Sequence, residues 1–158
     1  MDILDTDILN FWQCLYQNDV RYIMVGGFAI NLHGYSRATK DIDIWIDDTL
    51  ENRKNLRKAL KEQGSGDYEP IETMQFIPGW TDITLNFNLR LDIMTSVKGL
   101  ENNTFEQLLG KAYITEINKI PVYFLDYENL IKAKKAANRP KDILDIEELE
   151  KINKKSNS

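Results

Sequence analysis

The chain has 158 residues, a net charge of −5 and one cysteine, which is the size of a single domain with room for a proper core. Its composition, 42% hydrophobic and 28% charged, is that of a soluble protein, and no apolar run approaches the roughly 20 residues that span a membrane. The acidic start lacks a secretory signal, and a lone cysteine excludes an internal disulfide. The sequence therefore predicts a cytoplasmic protein without general affinity for nucleic-acid backbone.

The first predicted elements are a helix, a strand and a second helix. An i, i+3, i+4, i+7 run of apolar residues indicates an amphipathic helix over residues 7–18. Residues 22–25 form an apolar run typical of a short buried strand, and residues 26–33 form the next helix, with Gly34 as its left-handed cap. His33, the one histidine, is interpreted as a capping or packing residue because neither zinc ligands nor a nucleophile accompany it.

The next strand, residues 41–46, alternates strictly between acidic and apolar side chains. Its isoleucines occupy one face, and Asp41 and Asp43 occupy the other, two residues apart. Burial of the isoleucines would fix both aspartates on the opposite face. A polar loop with Arg37, Thr39 and Lys40 leads into this strand.

The remainder of the chain predicts further helices and strands and no second domain. The predicted helices cover residues 49–63, 104–109, 127–138 and 140–152, and the predicted strands cover residues 73–77, 82–87, 89–94, 113–117 and 121–125. One domain over residues 1–153 and a disordered tail over residues 154–158 are expected.

These residue types suit phosphoryl or nucleotidyl transfer from a triphosphate, which requires carboxylates for metal ions and donors for phosphates. Asp41 and Asp43 supply two carboxylates, and Asp92, on a similarly alternating strand, is the best third; Asp82 is the weaker candidate. Gly26 and Gly27 offer backbone amides for the phosphates. The conjunction of these motifs is far more specific than either motif alone.

With these motifs, the sequence resembles the DNA polymerase β-type nucleotidyltransferase superfamily. The stretches RYIMVGGFAINLHGYSRATKDIDIWI, RLDIMTSVKGL and LIKAKKAANRPKDILDIEEL are similar to bacterial stand-alone nucleotidyltransferases related to AbiEii-type toxins, over most of the chain. The resemblance implies the α+β nucleotidyltransferase fold, a twisted mixed β-sheet flanked by helices and a short C-terminal helical pair. It also implies Mg²⁺-dependent transfer at a two-metal site, with Mn²⁺ as a possible substitute.

The resemblance also assigns roles to individual residues. Asp41, Asp43 and Asp92 become metal ligands and catalytic residues, with Asp92 as base or aligner of the acceptor hydroxyl. Gly26 and Gly27 contact the phosphates, and Lys134 is expected to meet the triphosphate. For Arg37, Thr39 and Lys40 two roles stay open, phosphate contact or bracing of the loop. Arg139, Lys141 and Asp142 are interpreted as a structural ion-pair network between the last two helices.

Several functions share this chemistry. The leading hypothesis is transfer of a nucleoside monophosphate from an NTP to RNA, such as a tRNA 3′ end, or to protein, as the toxin of a toxin–antitoxin pair. An antibiotic-modifying enzyme with a small-molecule acceptor is the alternative within this chemistry, and a non-catalytic nucleotide-binding module is the alternative outside it. Because many relatives are longer, an antitoxin protein or a second copy of the chain is a possible partner. The preferred base and the acceptor stay open.

Overall fold

The computed structural model describes residues 5–157, which form seven helices and a six-stranded sheet. Residues 1–4 of the predicted domain and Ser158 of the predicted tail lie outside them. The helices are α1 (Thr6–Gln17), α2 (Gly26–Leu32), α3 (Leu50–Gln63), α4 (Pro70–Thr73), α5 (Phe105–Leu109), α6 (Tyr127–Ala137) and α7 (Pro140–Ser156). The strands are β1 (Tyr22–Val25), β2 (Asp41–Ile46), β3 (Trp80–Thr84), β4 (Arg90–Met94), β5 (Tyr113–Ile117) and β6 (Ile120–Phe124).

The sheet is mixed, and its strands lie in the order β3-β4-β2-β1-β6-β5. β2 runs parallel to β4 and antiparallel to β1, while β1 runs parallel to β6. The two outer strands, β3 and β5, pair antiparallel with their inner neighbours. The predicted mixed sheet flanked by helices, with a helical pair at the C-terminal end, is confirmed.

Alternation along the central strands places apolar side chains on a buried face of the sheet and acidic side chains on the opposite face. Ile42, Ile44 and Ile46 of β2 are fully buried, as the sequence predicts. On the buried side of the sheet, α1 packs against α3, and Trp12 of α1 stacks on Tyr22 of β1 at 5.7 Å between ring centroids. The isoleucines thereby hold the acidic side chains of β2 on the other face.

The prediction for residues 73–77 is wrong. Residues Pro70–Thr73 form α4, which begins with proline at its first turn, and the segment after it forms no strand. Arg53 explains the difference, because its guanidinium donates to the carbonyl oxygens of Ile71 and Met74 at 3.1 and 2.6 Å and lies 4.2 Å from the ring centroid of Phe76. The segment wraps this buried cation instead of pairing in the sheet.

Other boundaries differ by smaller amounts. β3 covers Trp80–Thr84 rather than residues 82–87, and Leu85 donates its amide to the carbonyl of Leu89 in the tight connection to β4. Helix α7 continues to Ser156, so that residues 154–156 of the predicted tail are helical. Within residues 5–157, none of the helices is both long and apolar enough to cross a membrane.

Candidate active site

A row of carboxylates crosses one face of the sheet. Asp43 of β2 and Asp92 of β4 are direct partners in the parallel pairing, and Asp92 is in turn opposite Asp82 of β3. Asp41 lies two residues before Asp43 on the same face, opposite Arg90. Neighbouring strands are about 4.8 Å apart, so the register brings three predicted acids, Asp41, Asp43 and Asp92, together at one place.

The closeness of these acids perturbs the ionisation of Asp43. Burial is the largest cause, and the facing carboxylate of Asp92 and the charge of Asp41 add to it, so that the pKa of Asp43 is raised to about 7. The positive charge of Lys134 acts in the opposite direction. The raised pKa of Asp43 reflects its burial and the negative charges beside it, and a bound cation would be stabilised by those same charges.

Arg90 partly neutralises this row. Its Nε donates to Oδ1 of Asp92 at 2.7 Å and lies 3.7 Å from Oδ2 of Asp82, and its guanidinium carbon is 5.6 Å from the ring centroid of Trp80. Within residues 5–157, no three acidic, histidine or cysteine side chains are already arranged to hold a metal ion. The three predicted acids are adjacent, but the carboxylate of Asp92 already accepts a hydrogen bond from Arg90.

The absence of a side chain at the two predicted glycines lets Asp43 and the loop before β2 approach the backbone of α2 closely. Gly26 has a φ of +72°, and a Cβ there would lie 2.1 Å from Oδ2 of Asp43. A Cβ on Gly27 would lie 2.5 Å from Oγ1 of Thr39, whose hydroxyl donates to the carbonyl of Asp41 at 3.1 Å. Glycine is thus required at both positions for close approach of β2 and its loop. Thr39 braces the strand.

A buried ion-pair cluster forms the opposite wall. Arg37 donates from Nε and Nη2 to both oxygens of Asp145 at 2.8 and 3.0 Å. Nζ of Lys134 lies 3.2 Å from Asp142 and 3.1 Å from Asp145, and Arg139 donates to both oxygens of Asp142. Both aspartates are almost fully buried. Three cations against two carboxylates leave one positive charge on this wall.

This cluster connects three separate parts of the chain. Arg37 belongs to the loop before β2, Lys134 to α6, and the two aspartates lie three residues apart on α7. Burial alone would raise the pKa of Asp142, but hydrogen bonds from Arg139 and Lys134 outweigh it and hold that pKa at about 2. The interpretation of Arg139 and Asp142 as an ion pair agrees with this geometry, whereas Lys141 is exposed and has no bond to either aspartate.

Both walls line one open cavity of about 1000 Å³. All nine residues predicted for the site border it, namely Gly26, Gly27, Arg37, Thr39, Lys40, Asp41, Asp43, Asp92 and Lys134. Their positions agree with the predicted roles, but their contacts with metal or nucleotide stay predictions. His33 lies elsewhere, with Nε2 2.8 Å from the carbonyl of Leu125 and its ring against Phe124, which agrees with a packing role.

Sequence reasoning missed the roles of two residues of this arrangement, Arg90 and Asp145, and named a third, Asp82, only as the weaker candidate. Alternation along the strand puts Arg90 on the same face as Asp92, and its position opposite Asp41 follows once the strand register is known. Asp145 was overlooked, although its spacing from Asp142 puts both on one face of a helix. Asp82 was ranked below Asp92, and the structure places it beside Asp92 but half exposed.

The carboxylate row fits a hard divalent cation in donor chemistry. Mg²⁺ prefers carboxylate oxygens and usually keeps several waters, so two or three acids that converge from adjacent strands are enough to bind it. The crowding that raises the pKa of Asp43 would be relieved by such a cation. Rotation of Asp92 away from Arg90 would complete the ligand set.

Comparisons with known proteins agree with this geometry. A family model described as "Nucleotidyltransferase of unknown function (DUF6036)" matches residues 4–156. No curated protein matches the sequence, whereas five solved chains match the structure.

Two of these solved structures cover nearly the whole chain. One is the lincosamide antibiotic adenylyltransferase LnuA with lincomycin bound, with a TM-score of 0.66, 16% identity and coverage of 94% of this chain and 97% of the other. The second is TM1012 from Thermotoga maritima, whose assignment as a nucleotidyltransferase is itself provisional, with a TM-score of 0.60, 16% identity and coverage of 95% and 90%. At these identities the two structures establish the fold alone.

Proposed function

This chain belongs to the family of nucleotidyltransferases of unknown function, and from that premise we propose that it transfers a nucleoside monophosphate from an NTP to an acceptor hydroxyl with the help of Mg²⁺. The observation that carries the proposal is the direct pairing of Asp43 with Asp92, with Asp41 on the same face. No structural requirement of the sheet explains three acids crowded on one face, since their mutual repulsion is unfavourable.

In this proposal one side of the cavity binds the triphosphate and the other side binds the acceptor. The triphosphate lies along the side made by Gly26, Gly27 and the positively charged wall, where Lys134 contributes charge from a buried position. Arg37 and Thr39 hold the loop in place through Asp145 and the carbonyl of Asp41. The acceptor enters beside Asp92, where Trp80 and Met94 form the far lining.

Transfer requires one bond to form and one to break. The acceptor oxygen attacks the α-phosphorus, the bond between that phosphorus and the β-phosphate oxygen breaks, and pyrophosphate leaves. Asp92 accepts the proton of the attacking hydroxyl or aligns it for attack. Asp41, Asp43 and Asp92 are the residues that would hold Mg²⁺, which supplies charge stabilisation for the α-phosphate and the attacking oxygen when bound.

For the acceptor, we propose RNA, such as a tRNA 3′ end, or protein, with the chain acting as a toxin. The cations that border the cavity on a protein of net charge −5 support an anionic acceptor more than a polycationic one. The similarity to AbiEii-type toxins is also part of this proposal, as are a cytoplasmic location and an antitoxin or second copy as partner.

An antibiotic acceptor is the second candidate. The fold matches the lincosamide antibiotic adenylyltransferase LnuA, which holds bound lincomycin, over 94% of this chain. Resistance to a lincosamide or an aminoglycoside on expression would favour this candidate. Growth arrest that Asp41→Asn relieves would favour the toxin.

A search for the acceptor tests the proposal without deciding in advance between RNA, protein and a small molecule. Purified protein is incubated with each α-labelled NTP and a cell extract, with Mg²⁺ or with EDTA, and labelled RNA, protein and small molecules are separated. We expect label in one of these fractions with Mg²⁺ and none with EDTA. NTP binding without transfer under any condition would contradict catalysis and favour a nucleotide-binding module.

A further inference from the structure

The three cations of the buried cluster are not equally available to a ligand. The side chain of Lys134 is 7% exposed, and its ammonium group is shared between Asp142 and Asp145. Arg37 has 24% of its side chain exposed and uses Nε, Nη1 and Nη2 in bonds to Asp145 and to the carbonyl of Ala38. The side chain of Arg139, by contrast, is 55% exposed.

Arg139 is also held in one orientation. Its Nε donates to Oδ2 of Asp142 at 2.7 Å and its Nη2 to Oδ1 at 3.2 Å, while its own backbone N–H donates to Oδ2 at 3.0 Å. Asp142 is fully buried and also bound by Lys134, so it is a fixed support. The fork of Arg139 is therefore pre-ordered before any ligand arrives.

The opposite edge of that guanidinium is unused. A guanidinium has five N–H groups, and Nη1 of Arg139 makes no hydrogen bond within the part of the chain that the structure describes. The residue lines the same cavity as Asp43. Its hydrogen bonds to Asp142 are the main cause that raises the pKa of Arg139, and the negative charge of Asp43 adds to it. A planar cation with a free edge, directed into a cavity beside crowded carboxylates, suits a phosphate group.

From this geometry we propose that Arg139, rather than Lys134, makes the direct contact with the triphosphate, and that Lys134 and Asp142 are positioning residues behind it. The inference rests on the proposed function, since it names the phosphate ligand of that site. Lys40 and Lys141 border the cavity as well, but each is an exposed flexible side chain that no hydrogen bond within residues 5–157 holds in place, so ordering it costs more.

Binding of nucleotides tests this assignment separately from transfer. ATP, CTP, GTP and UTP are titrated with Mg²⁺ into wild-type protein by calorimetry, and the tightest of them is then titrated into Arg139→Gln and Arg139→Lys. We expect Arg139→Gln to bind about tenfold to a hundredfold more weakly, the usual effect of a lost charged hydrogen bond to phosphate. Arg139→Lys should fall between, because it keeps the charge and loses the fork.

The matched control is Arg57→Gln, which removes the same charge outside the cavity. Arg57 lies on α3 and donates from Nε and Nη2 to both oxygens of Asp67, while its Nη1 pairs with Glu72. Its affinity should equal that of wild type. The corresponding nucleoside monophosphate should bind Arg139→Gln and wild type alike, since it lacks the β- and γ-phosphates.

Two results would overturn the assignment, and they are distinguishable. If wild type binds the NTP and Arg139→Gln binds it equally well while keeping its melting temperature, Arg139 is not the phosphate ligand and the proposed function survives. If wild type binds none of the four NTPs, the proposed function fails and this inference fails with it. Lys134→Met serves as a further variant: we expect a lower melting temperature, because two buried carboxylates lose their shared partner.

Discussion

Replacement of Gly26 by alanine should inactivate the site through the position of one carboxylate. A Cβ at Gly26 would lie 2.1 Å from Oδ2 of Asp43, whereas ordinary contact requires about 3.4 Å or more. The carboxylate must therefore move by about 1 Å, and a shift of about 1 Å in a reacting group can cost about a hundredfold in rate. The φ of +72° adds a strain of about 1 kcal/mol for a non-glycine residue.

Gly34→Ala is the matched control for this substitution. Gly34 has a φ of +107° at the other end of the same helix, and a Cβ there would meet only Ile152 at an ordinary 3.5 Å. Both variants should lose melting temperature through backbone strain, which differential scanning fluorimetry measures. Transfer and Mn²⁺ binding should fall in Gly26→Ala alone, and equal losses in the two variants would refute the argument from Asp43.

Three further predictions concern the charges of the site. Arg90→Gln should bind Mn²⁺ more tightly than wild type in calorimetry, because the arginine that donates to Asp92 competes with a cation; weaker binding would show that Arg90 helps to assemble the ligands. Asp43→Asn should stabilise the metal-free protein at pH 8 by about 4 kcal/mol, because the folded state must ionise a group whose pKa is raised to about 7. In chemical denaturation this gain should shrink as the pH falls through 7 towards 4 and vanish below about pH 3, where the carboxyl is protonated in both states. Asp142→Asn should destabilise the protein at pH 6, and about 2 kcal/mol of that difference should disappear as the pH falls from 4 towards 2, since the folded pKa of Asp142 is depressed to about 2; a difference that is independent of pH would contradict the ion-pair account.

Local pattern was enough to place the acids on their strands. Alternation with buried isoleucines fixed the facing of Asp41 and Asp43, and the same alternation did so for Asp92. The resemblance to nucleotidyltransferases added the architecture of the sheet. What no local pattern contains is the register that sets Asp43 opposite Asp92, because the two strands are separated by more than 40 residues of chain.

Two features that the sequence did not indicate involve arginines paired with distant parts of the chain. Helical periodicity assigns a charged residue such as Arg53 to the solvated face of its helix, yet Arg53 is buried and donates to the carbonyls of the segment predicted as a strand over residues 73–77. Arg37 and Asp145 form a bidentate pair across 108 residues of sequence, and sequence spacing cannot indicate such a pair. Periodicity assigns charged residues to the surface, so it does not reveal long charged side chains that are buried against distant partners.

We propose that Asp41, Asp43 and Asp92 together form the divalent-cation site on which transfer depends. Label transfer from an α-labelled NTP in cell extract should be measured for the Asp→Asn variant of each residue, with Asp82→Asn, an acid of the same row but half exposed, as the control. We predict that none of the first three variants melts below wild type and that each loses at least a hundredfold of Mg²⁺-dependent transfer, while Asp82→Asn stays within about tenfold of wild type. Full transfer by Asp43→Asn or Asp92→Asn would contradict the account.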